Sequence, residues 1–159
     1  MRVGIGFDVH PFISGRRLIL GGVEIPFEKG LFGHSDADAL THAIIDALFG
    51  AAGLGDIGSH FGIHDSRYKD ATSLLLLEEA WQRISTRGYV VENVDATIIA
   101  EAPRLSPFLE KMRLNIARVL RLSLDLVNVK ASSANGVGPL GAGEGIAAFA
   151  VAALQEGKG

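Results

Sequence analysis

The chain has 159 residues, a formal net charge of −3 and no cysteine. With 48% hydrophobic and 21% charged residues, this length predicts a single domain over residues 1–159 and excludes a disordered chain. The acidic balance offers no basic field for nucleic acid, and the longest apolar run is about half of a membrane-spanning helix. The N-terminal residues do not resemble a signal or transit peptide, so we expect a cytoplasmic protein without nucleic-acid or membrane partners.

Patterns of polarity predict strands and helices in irregular alternation. Pro11 is expected to end the pairing of the first strand, Ser35 to cap the first helix, and Ser106 to cap a later helix that starts at Pro107. In chain order, the predicted elements are a strand over residues 2–9, a hairpin over 17–26, a helix over 36–52, a loop over 55–70, a helix over 71–87, a strand over 89–100, a helix over 106–121, a strand over 127–131, a glycine-rich segment over 135–145, and a strand over 146–154.

These elements favour an α+β fold, in which a mixed sheet carries helices on one face. The first predicted strand places Val3, Ile5 and Phe7 on one face and Gly4 and Gly6 on the other. An apolar second face of the sheet would need its own cover. A second copy of the chain can supply that cover, so we expect an oligomer.

A candidate metal site combines the first strand with the first helix. Asp8 and His10 are two residues apart in the predicted strand and therefore point the same way at its end. His42, on the helix, can complete the set. Two imidazoles and one carboxylate suit Zn²⁺ with a fourth position left for water or substrate. The same ligands also suit non-haem iron(II), which would imply oxygen-dependent chemistry instead.

Each of these residues also has a simpler interpretation. An Asp-x-His at a strand end is common in hydrogen-bonded turns, and a helical histidine such as His42 can be merely half-buried. Asp38 and Asp46 form a polar stripe with His42, but Asp38 can also complete a capping box with Ser35. Asp46 can simply be solvated.

Two segments are suited to binding an anion. His34 and Ser35 lie where the first helix begins, and free N–H groups at a helix start favour a phosphate oxygen. Lys130, Ser132 and Ser133 offer a cation and two hydroxyls at the end of a strand. The simpler alternatives are a loop histidine with a capping serine, and an ordinary boundary between strand and loop.

Several short motifs together resemble one known family, 2-C-methyl-D-erythritol 2,4-cyclodiphosphate synthase of the non-mevalonate isoprenoid pathway. The resemblance extends over nearly the whole chain, and the motifs are specific in combination rather than singly. They are Gly6-Phe7-Asp8-Val9-His10, His34-Ser35-Asp36-Ala37-Asp38, His42, the run from Gly55 to Phe61, Asn128-Val129-Lys130-Ala131, and Gly143-Glu144-Gly145-Ile146.

The resemblance implies a cyclisation in which the 2-phosphate of 4-diphosphocytidyl-2-C-methyl-D-erythritol 2-phosphate attacks its β-phosphorus and expels CMP. It implies one Zn²⁺ per subunit, held by Asp8, His10 and His42, with the substrate diphosphate in the open position. It also implies a homotrimer whose sheets face the trimer axis and whose active sites lie between adjacent chains.

The same resemblance implies roles for further residues. His34 and Ser133 would stabilise the transition state. Ser35 and Ser132 would lie near phosphate, Asp56 and Gly58 near the ribose or the erythritol, and the segment from residue 100 to 106 would cradle cytosine. The residues expected to bind substrate are Val9, Ser35, Asp56, Ile57, Gly58, Phe61, Asp65, Ala100, Pro103, Arg104, Ala131 and Ser132.

The chain departs from the family pattern at a few positions. Asn135 replaces the usual glutamate for a second metal, Mg²⁺ or Mn²⁺, and a neutral ligand weakens the binding of such an ion. Ile63 replaces a carboxylate expected near the erythritol. Ala142 replaces an arginine expected near the trimer axis. Ser132 and Ser133 replace two threonines and keep their hydroxyls. These losses leave open a second function, a catalytically weakened nucleotide-binding homologue on the same scaffold.

Overall fold

The computed structural model describes residues 1–62 and 65–157. It confirms an α+β fold with a mixed sheet. The strands are β1 (Arg2–Ser14), β2 (Leu18–Leu20), β3 (Val23–Ile25), β4 (Lys29–Leu31), β5 (Tyr89–Ile99), β6 (Val127–Ser132) and β7 (Gly145–Glu156), and the helices are α1 (Ala39–Ala52), α2 (Ile57–His60), α3 (Ser73–Ser85), α4 (Leu109–Leu120) and α5 (Gly138–Gly141). The large sheet has the order β4-β1-β7-β5-β6, with β5 and β6 parallel and the other neighbours antiparallel. β2 and β3 form the predicted hairpin.

Two glycines seat α1 on β1. A Cβ atom at Gly6 would lie 1.8 Å from the carbonyl oxygen of Ala43, and one at Gly4 would lie 2.0 Å from that of Ala47. Any side chain at these positions would therefore push the helix off the strand. Because residues two apart share a face, Asp8 and His10 continue the same helix-facing side of β1.

On β1 and β7, the opposite face of the sheet is apolar and exposed. Ile5 on β1 is 71% exposed and Phe7 is 48% exposed. The ring of Phe7 packs against that of Phe149 on β7, with their centroids 4.8 Å apart. A face of this kind is typical of contact with another chain. The expected oligomer stays a prediction.

The start of α1 differs from the sequence prediction. Asp38, not Ser35, is the N-cap, and its carboxylate accepts from the backbone N–H of Thr41 at 3.0 Å. The same carboxylate also accepts from the backbone N–H groups of Gly21 and Gly22 at 2.9 and 2.8 Å. Asp38 is fully buried. It therefore ties the hairpin turn to the helix, and the capping box centred on Ser35 is wrong.

Other boundaries also shift. β1 does not stop at Pro11, because Pro11 still pairs with β7 and Phe12 then pairs with β4, a strand that the sequence patterns did not predict. The predicted loop over residues 55–70 contains α2 and a short helical turn over Ser66–Tyr68. Leu105, not Ser106, occupies the N-cap position of the helical turn before α4.

Within the described ranges, no helix combines the length and apolar character needed to cross a bilayer.

Candidate metal centre and active site

Asp8, His10 and His42 converge on one point at the junction of β1 and α1. Asp8 Oδ2 lies 2.8 Å from His10 Nε2 and 3.0 Å from His42 Nδ1, and the two histidine nitrogens are 3.4 Å apart. In a tetrahedral zinc site with ligands about 2.0–2.2 Å from the metal, neighbouring ligand atoms are about 3.3–3.5 Å apart. The side between the two histidine nitrogens has that length, and the two sides to Asp8 are shorter. The three ligand atoms are close enough together to hold a metal ion.

Hydrogen bonds outside the triangle orient the rings of both histidines toward its centre. The Nδ1–H of His10 donates to the carbonyl of Phe32 at 2.7 Å, which leaves Nε2 as the free lone pair. The Nε2–H of His42 donates to Ser73 Oγ at 2.8 Å, which leaves Nδ1 free. Ser73 in turn donates to the carboxylate of Asp36 through both its hydroxyl and its backbone N–H. Such partners fix the ring orientation and tautomer of a metal-binding histidine.

Charge inside the cluster shifts two pKa values. Burial would raise the pKa of Asp8, but the hydrogen bonds and positive charge of His10 and His42 outweigh it and hold that pKa well below its usual range. Burial would lower the pKa of His42, yet the hydrogen bond and negative charge of Asp8 raise it. The carboxylate is therefore ionised and ready to bind a cation at neutral pH. Protons compete with a metal for His42.

The triangle lies at the wall of a cavity of about 190 Å³, which we call the metal pocket. Eight of the residues predicted from the sequence line it, namely Asp8, His10, His34, Ser35, His42, Ile57, Gly58 and Phe61. Ser35 is buried, and its hydroxyl lies 3.1 Å from His42 Nε2. The Nε2 atom of His34 is buried and has no hydrogen-bond partner among the described residues. His34 thus lines the pocket, and one of its ring nitrogens is buried with its hydrogen-bonding capacity unused.

A second cavity, of about 390 Å³, lies beyond the ends of β5 and β6; we call it the sheet-end pocket. Its lining includes Ala100, Pro103, Arg104, Ala131, Ser132 and Ser133, all predicted from the sequence, together with Glu101. One carboxylate oxygen of Glu101 accepts from the backbone N–H groups of Ala134 and Gly136 at 2.7 and 3.5 Å. Among the residues that the structure describes, none lines both pockets. One chain therefore does not bring all the predicted site residues into a single cavity.

Three predicted substrate-binding residues line neither pocket. Val9 lies on the open face of β1 and is 47% exposed. The carboxylate of Asp56 caps α2 by accepting from Ser59, and these hydrogen bonds lower its pKa. Asp65 caps the helical turn at Ser66–Tyr68 and forms an ion pair with Arg67 at 2.6 Å.

Other sequence interpretations have mixed outcomes. Lys130 pairs with Asp95 at 2.6 Å, so its ammonium is already engaged. Asp46 is not simply solvated, since it accepts from the backbone N–H of Ile57 at 2.7 Å. Asn135 accepts a hydrogen bond from the Ser133 hydroxyl at 2.9 Å. The substitution noted at Ile63 lies outside the described residues.

Ser73 and Asp36 are the participants that the sequence patterns did not assign to the site. Ser73 is 31 residues from His42 along the chain and stands at the start of α3. Nothing in its local pattern marks it as a partner of a metal ligand. Asp36 belongs to the His-Ser-Asp segment that begins at His34, which is the only sequence signal for its role.

The chain is similar to known proteins along nearly its whole length. The sequence profile of the YgbB family matches residues 1–155. The chain belongs to the YgbB family. A relative from Laribacter hongkongensis named 2-C-methyl-D-erythritol 2,4-cyclodiphosphate synthase is 59% identical over 155 residues, which cover 98% of this chain and 96% of the relative. A relative of the same name from Desulforamulus reducens is 55% identical over 157 residues, which cover 99% of this chain and 100% of the relative. The resemblance found in the sequence is confirmed.

Solved structures of YgbB-family relatives share the fold. A 2C-methyl-D-erythritol-2,4-cyclodiphosphate synthase in a CDP-bound form matches with a TM-score of 0.89 and 34% identity over 97% of this chain and 100% of its own. An IspF from Plasmodium falciparum in complex with CDP gives 0.86 and 31% identity over 99% of this chain and 97% of its own. A bifunctional IspDF from Campylobacter jejuni gives 0.94 and 40% identity over 98% of this chain, which spans 42% of that larger protein.

Proposed function

We propose that the protein catalyses the metal-dependent cyclisation of 4-diphosphocytidyl-2-C-methyl-D-erythritol 2-phosphate to 2-C-methyl-D-erythritol 2,4-cyclodiphosphate, with release of CMP, in isoprenoid precursor biosynthesis. The observation that carries this proposal is the triangle of Asp8, His10 and His42 at the wall of a pocket that also contains His34 and Ser35. Full-length similarity to relatives that bear the synthase name supports it.

Asp8, His10 and His42 are the proposed holders of one Zn²⁺ per subunit. The ion would supply Lewis-acid polarisation of a phosphoryl oxygen and a template for the diphosphate. Their partners hold them in the required tautomers: Phe32 for His10 and Ser73 for His42. The ionised carboxylate of Asp8 offsets part of the cation's charge, so an anionic substrate still meets a net positive site.

The reaction forms one P–O bond and breaks another. An oxygen of the 2-phosphate bonds to the β-phosphorus, and the bond from that phosphorus to the bridging oxygen breaks, so CMP leaves with the bridging oxygen. The attacking group needs no strong base, because a phosphate monoester with a second pKa of about 6 is already mostly dianionic at neutral pH. The protein's task is therefore to position the two phosphates and to offset their charge.

His34 is the proposed group that acts on the phosphates from the metal pocket. Its buried Nε2 has no protein partner among the described residues, and a substrate oxygen is the partner we propose for it. Ser35 provides a second polar group on the same wall. Ile57, Gly58 and Phe61 would shape the part of this pocket that meets the sugar. Val9, Asp56 and Asp65 are retained as substrate contacts from the family resemblance alone.

The nucleotide half of the substrate is assigned to the sheet-end pocket. Ala100, Pro103 and Arg104 would cradle cytosine, while Ala131, Ser132 and the proposed catalytic Ser133 would contact phosphate. Two relatives of known structure are bound to CDP. Because the described part of one chain has no residue that lines both pockets, we propose a homotrimer, with sheets facing its axis, in which the metal pocket of one chain adjoins the sheet-end pocket of the next.

A second divalent ion, Mg²⁺ or Mn²⁺, is proposed to bind weakly beside the phosphates. Asn135 is the candidate ligand, and its amide oxygen is neutral and already accepts from Ser133. A hard cation binds a neutral oxygen less strongly than a carboxylate. A cytoplasmic location stays a prediction from the sequence.

The direct test is CMP release from the synthetic substrate by purified protein with Zn²⁺ and Mg²⁺, followed by ³¹P NMR. The expected result is stoichiometric CMP and cyclodiphosphate, and a zinc content near one per chain. The Arg17→Ala variant is a matched control, since the Arg17 side chain is 77% exposed and pairs only at the surface with Glu24. Its activity should equal that of the wild type.

Two results would contradict the proposal in different ways. Tight CDP binding without turnover would favour the weakened nucleotide-binding homologue. Bound iron with oxygen-dependent turnover would favour the iron(II) enzyme.

A further inference from the structure

Arg16 lies just outside the metal pocket, in the turn between β1 and β2. It is half-buried, and both of its side-chain hydrogen bonds go to backbone carbonyls rather than to a carboxylate. One N–H group donates to the carbonyl of Gly33 at 2.7 Å, and another donates to the carbonyl of Ser35 at 2.5 Å. These two carbonyls bracket His34.

The backbone of Arg16 is itself held in place. A Cβ atom at Gly30 on β4 would lie 2.6 Å from the carbonyl oxygen of Arg16, so the turn packs directly on the strand that leads into the His34 segment. The guanidinium therefore projects from a fixed base. Its planar fork can meet two acceptors at once, whereas a lysine ammonium acts as a point charge.

The carbonyl of His34 is fixed from the other side. It accepts from the backbone N–H of Asp70 at 3.2 Å, and the backbone N–H of Asp36 donates to the carbonyl of Ala71 at 3.3 Å. Three successive carbonyls, from Gly33 to Ser35, are thus all engaged. Since each peptide unit is planar, fixing the units on both sides of His34 also fixes the direction in which its side chain leaves the backbone.

We propose that Arg16 is a positioning residue for His34, and this inference rests on the proposed function. Arg16 sets the backbone around His34 so that the buried, unpartnered ring nitrogen meets the phosphates of the substrate. Arg16 does not line the metal pocket, and two of its N–H groups donate to the two carbonyls, so we expect it to act through the backbone rather than on the substrate. Arg16 does not orient the metal ligand His42 either, because His42 has its own hydrogen-bond partner in Ser73.

The Arg16→Ala variant should lower kcat for CMP release by about 10- to 100-fold, since a displacement of about 1 Å at a reacting group can cost about 100-fold. KM and zinc content should stay within twofold of the wild type. The Arg16→Lys variant should recover part of the loss, because one ammonium can reach one carbonyl. Arg17→Ala removes the same charge from the neighbouring position and should change neither constant.

A double variant separates positioning from a general structural effect. In the His34→Ala background, adding Arg16→Ala should cause no further loss of kcat, since residues that act through one another are non-additive. Full additivity would overturn the proposal. A rise in KM alone would show direct substrate binding by Arg16, and loss of zinc would show support of the metal ligands, so either result would also overturn it.

Histidine-labelled protein provides a readout that does not depend on turnover. In ¹⁵N NMR spectra of the zinc-loaded protein, Arg16→Ala should shift the ring signals of His34 and leave those of His10 and His42 in place. Unchanged His34 signals would contradict the proposal. If the wild type itself released no CMP, the proposed function would fail, and these spectra would still decide whether Arg16 positions His34.

Discussion

The metal pocket and the sheet-end pocket are held together in different ways. In the metal pocket, side chains from β1, α1 and α3 meet in one largely buried chain of hydrogen bonds that runs from Asp8 through His42 and Ser73 to Asp36. In the sheet-end pocket, Ser133 and Glu101 are exposed, and their hydrogen bonds stay within the loop over residues 133–136 and its neighbour. A buried network has little freedom to rearrange, whereas an exposed loop can adjust to a ligand.

This difference suits the two halves of the proposed substrate. Phosphoryl transfer needs charges fixed in place before the reaction, which the hydrogen-bonded cluster from Asp8 to Asp36 provides. Recognition of a nucleotide tolerates adjustment, and in the proposed trimer the neighbouring chain would complete the sheet-end pocket. Substitutions in the metal pocket should therefore abolish chemistry, whereas those in the sheet-end pocket should weaken binding.

The largest effect is expected from His42→Ala. Loss of a partner of a metal ligand costs 10- to 100-fold, so loss of the ligand itself should lower both zinc affinity and CMP release by more than about 100-fold. Metal analysis and a CMP assay measure the two effects. CDP binding by calorimetry should persist as the control for folding, and a His42→Ala protein that retained stoichiometric zinc would refute the assigned ligand set.

Gly6→Ala tests the close packing of β1 against α1, the two elements that carry the proposed metal ligands. The added methyl would meet backbone atoms of α1 at 1.8 Å, and overpacking of this kind costs about 3 kcal/mol when the neighbours cannot move. Gly50→Ala is the matched control, because a Cβ atom there has no neighbour closer than 3.9 Å. In urea unfolding, Gly50→Ala should leave the protein as stable or up to about 1 kcal/mol more stable. Equal free energies of unfolding for both variants would contradict this packing.

Ser73→Ala removes the nearer of the two hydroxyls at His42 Nε2, which is 2.8 Å away against 3.1 Å for Ser35, but it removes no ligand. Zinc affinity should fall by about 10-fold, the lower end of the range for loss of a partner of a metal ligand, because Ser35 remains beside the ring. Competition with a zinc-binding dye measures the change. Ser59→Ala, at an exposed serine that bonds only to Asp56, serves as the control and should leave zinc affinity unchanged. If both variants bound zinc as tightly as the wild type, the hydrogen bonds from His42 through Ser73 to Asp36 would not contribute to zinc binding.

Glu101→Ala tests the sheet-end pocket. Loss of the acceptor for Ala134 and Gly136 should weaken CDP binding by about 3- to 10-fold, which corresponds to a net hydrogen-bond contribution of about 0.5–1.5 kcal/mol. Zinc content should not change. Glu101→Gln keeps an oxygen acceptor, so its affinity for CDP should lie between those of the wild type and Glu101→Ala. A loss of zinc in Glu101→Ala would show that the two pockets are not independent.

The smallest expected effect is a change in thermal stability with pH. The lowered pKa of Asp8 gives stability that is present above the unfolded value of about 3.9 and is lost as the pH falls. The raised pKa of His42 gives stability that is fully present below the unfolded value of about 6.5 and is lost as the pH rises through the folded pKa. In metal-free protein the cluster therefore contributes most between about pH 4 and 6.5.

Bound zinc should make the cluster contribute more to stability as the pH rises, because the ion takes the place of the proton on His42. The difference in Tm between zinc-loaded and EDTA-treated protein should grow from pH 6 to pH 8. Asp8→Asn should remove most of this dependence. A difference that stayed constant over this range would contradict the account of the cluster.

Local spacing predicted those parts of the site that one element determines alone. Strand parity placed Asp8 and His10 together, and the periodicity of α1 placed His42 on the polar side. The role of Ser73 depends on how α3 docks against α1, which no local pattern specifies. Asp38 shows the same limit, since its four donors from Gly21, Gly22 and Thr41 bring distant segments together. The separation into two pockets likewise follows from the sheet order.

The most direct test is anomalous diffraction at the zinc absorption edge from a crystal soaked with CDP. The account predicts one peak per chain, within about 2.0–2.2 Å of Asp8 Oδ2, His10 Nε2 and His42 Nδ1, beside density for the diphosphate. A zinc peak on other residues, or these three side chains turned away from one another in a zinc-saturated crystal, would contradict it.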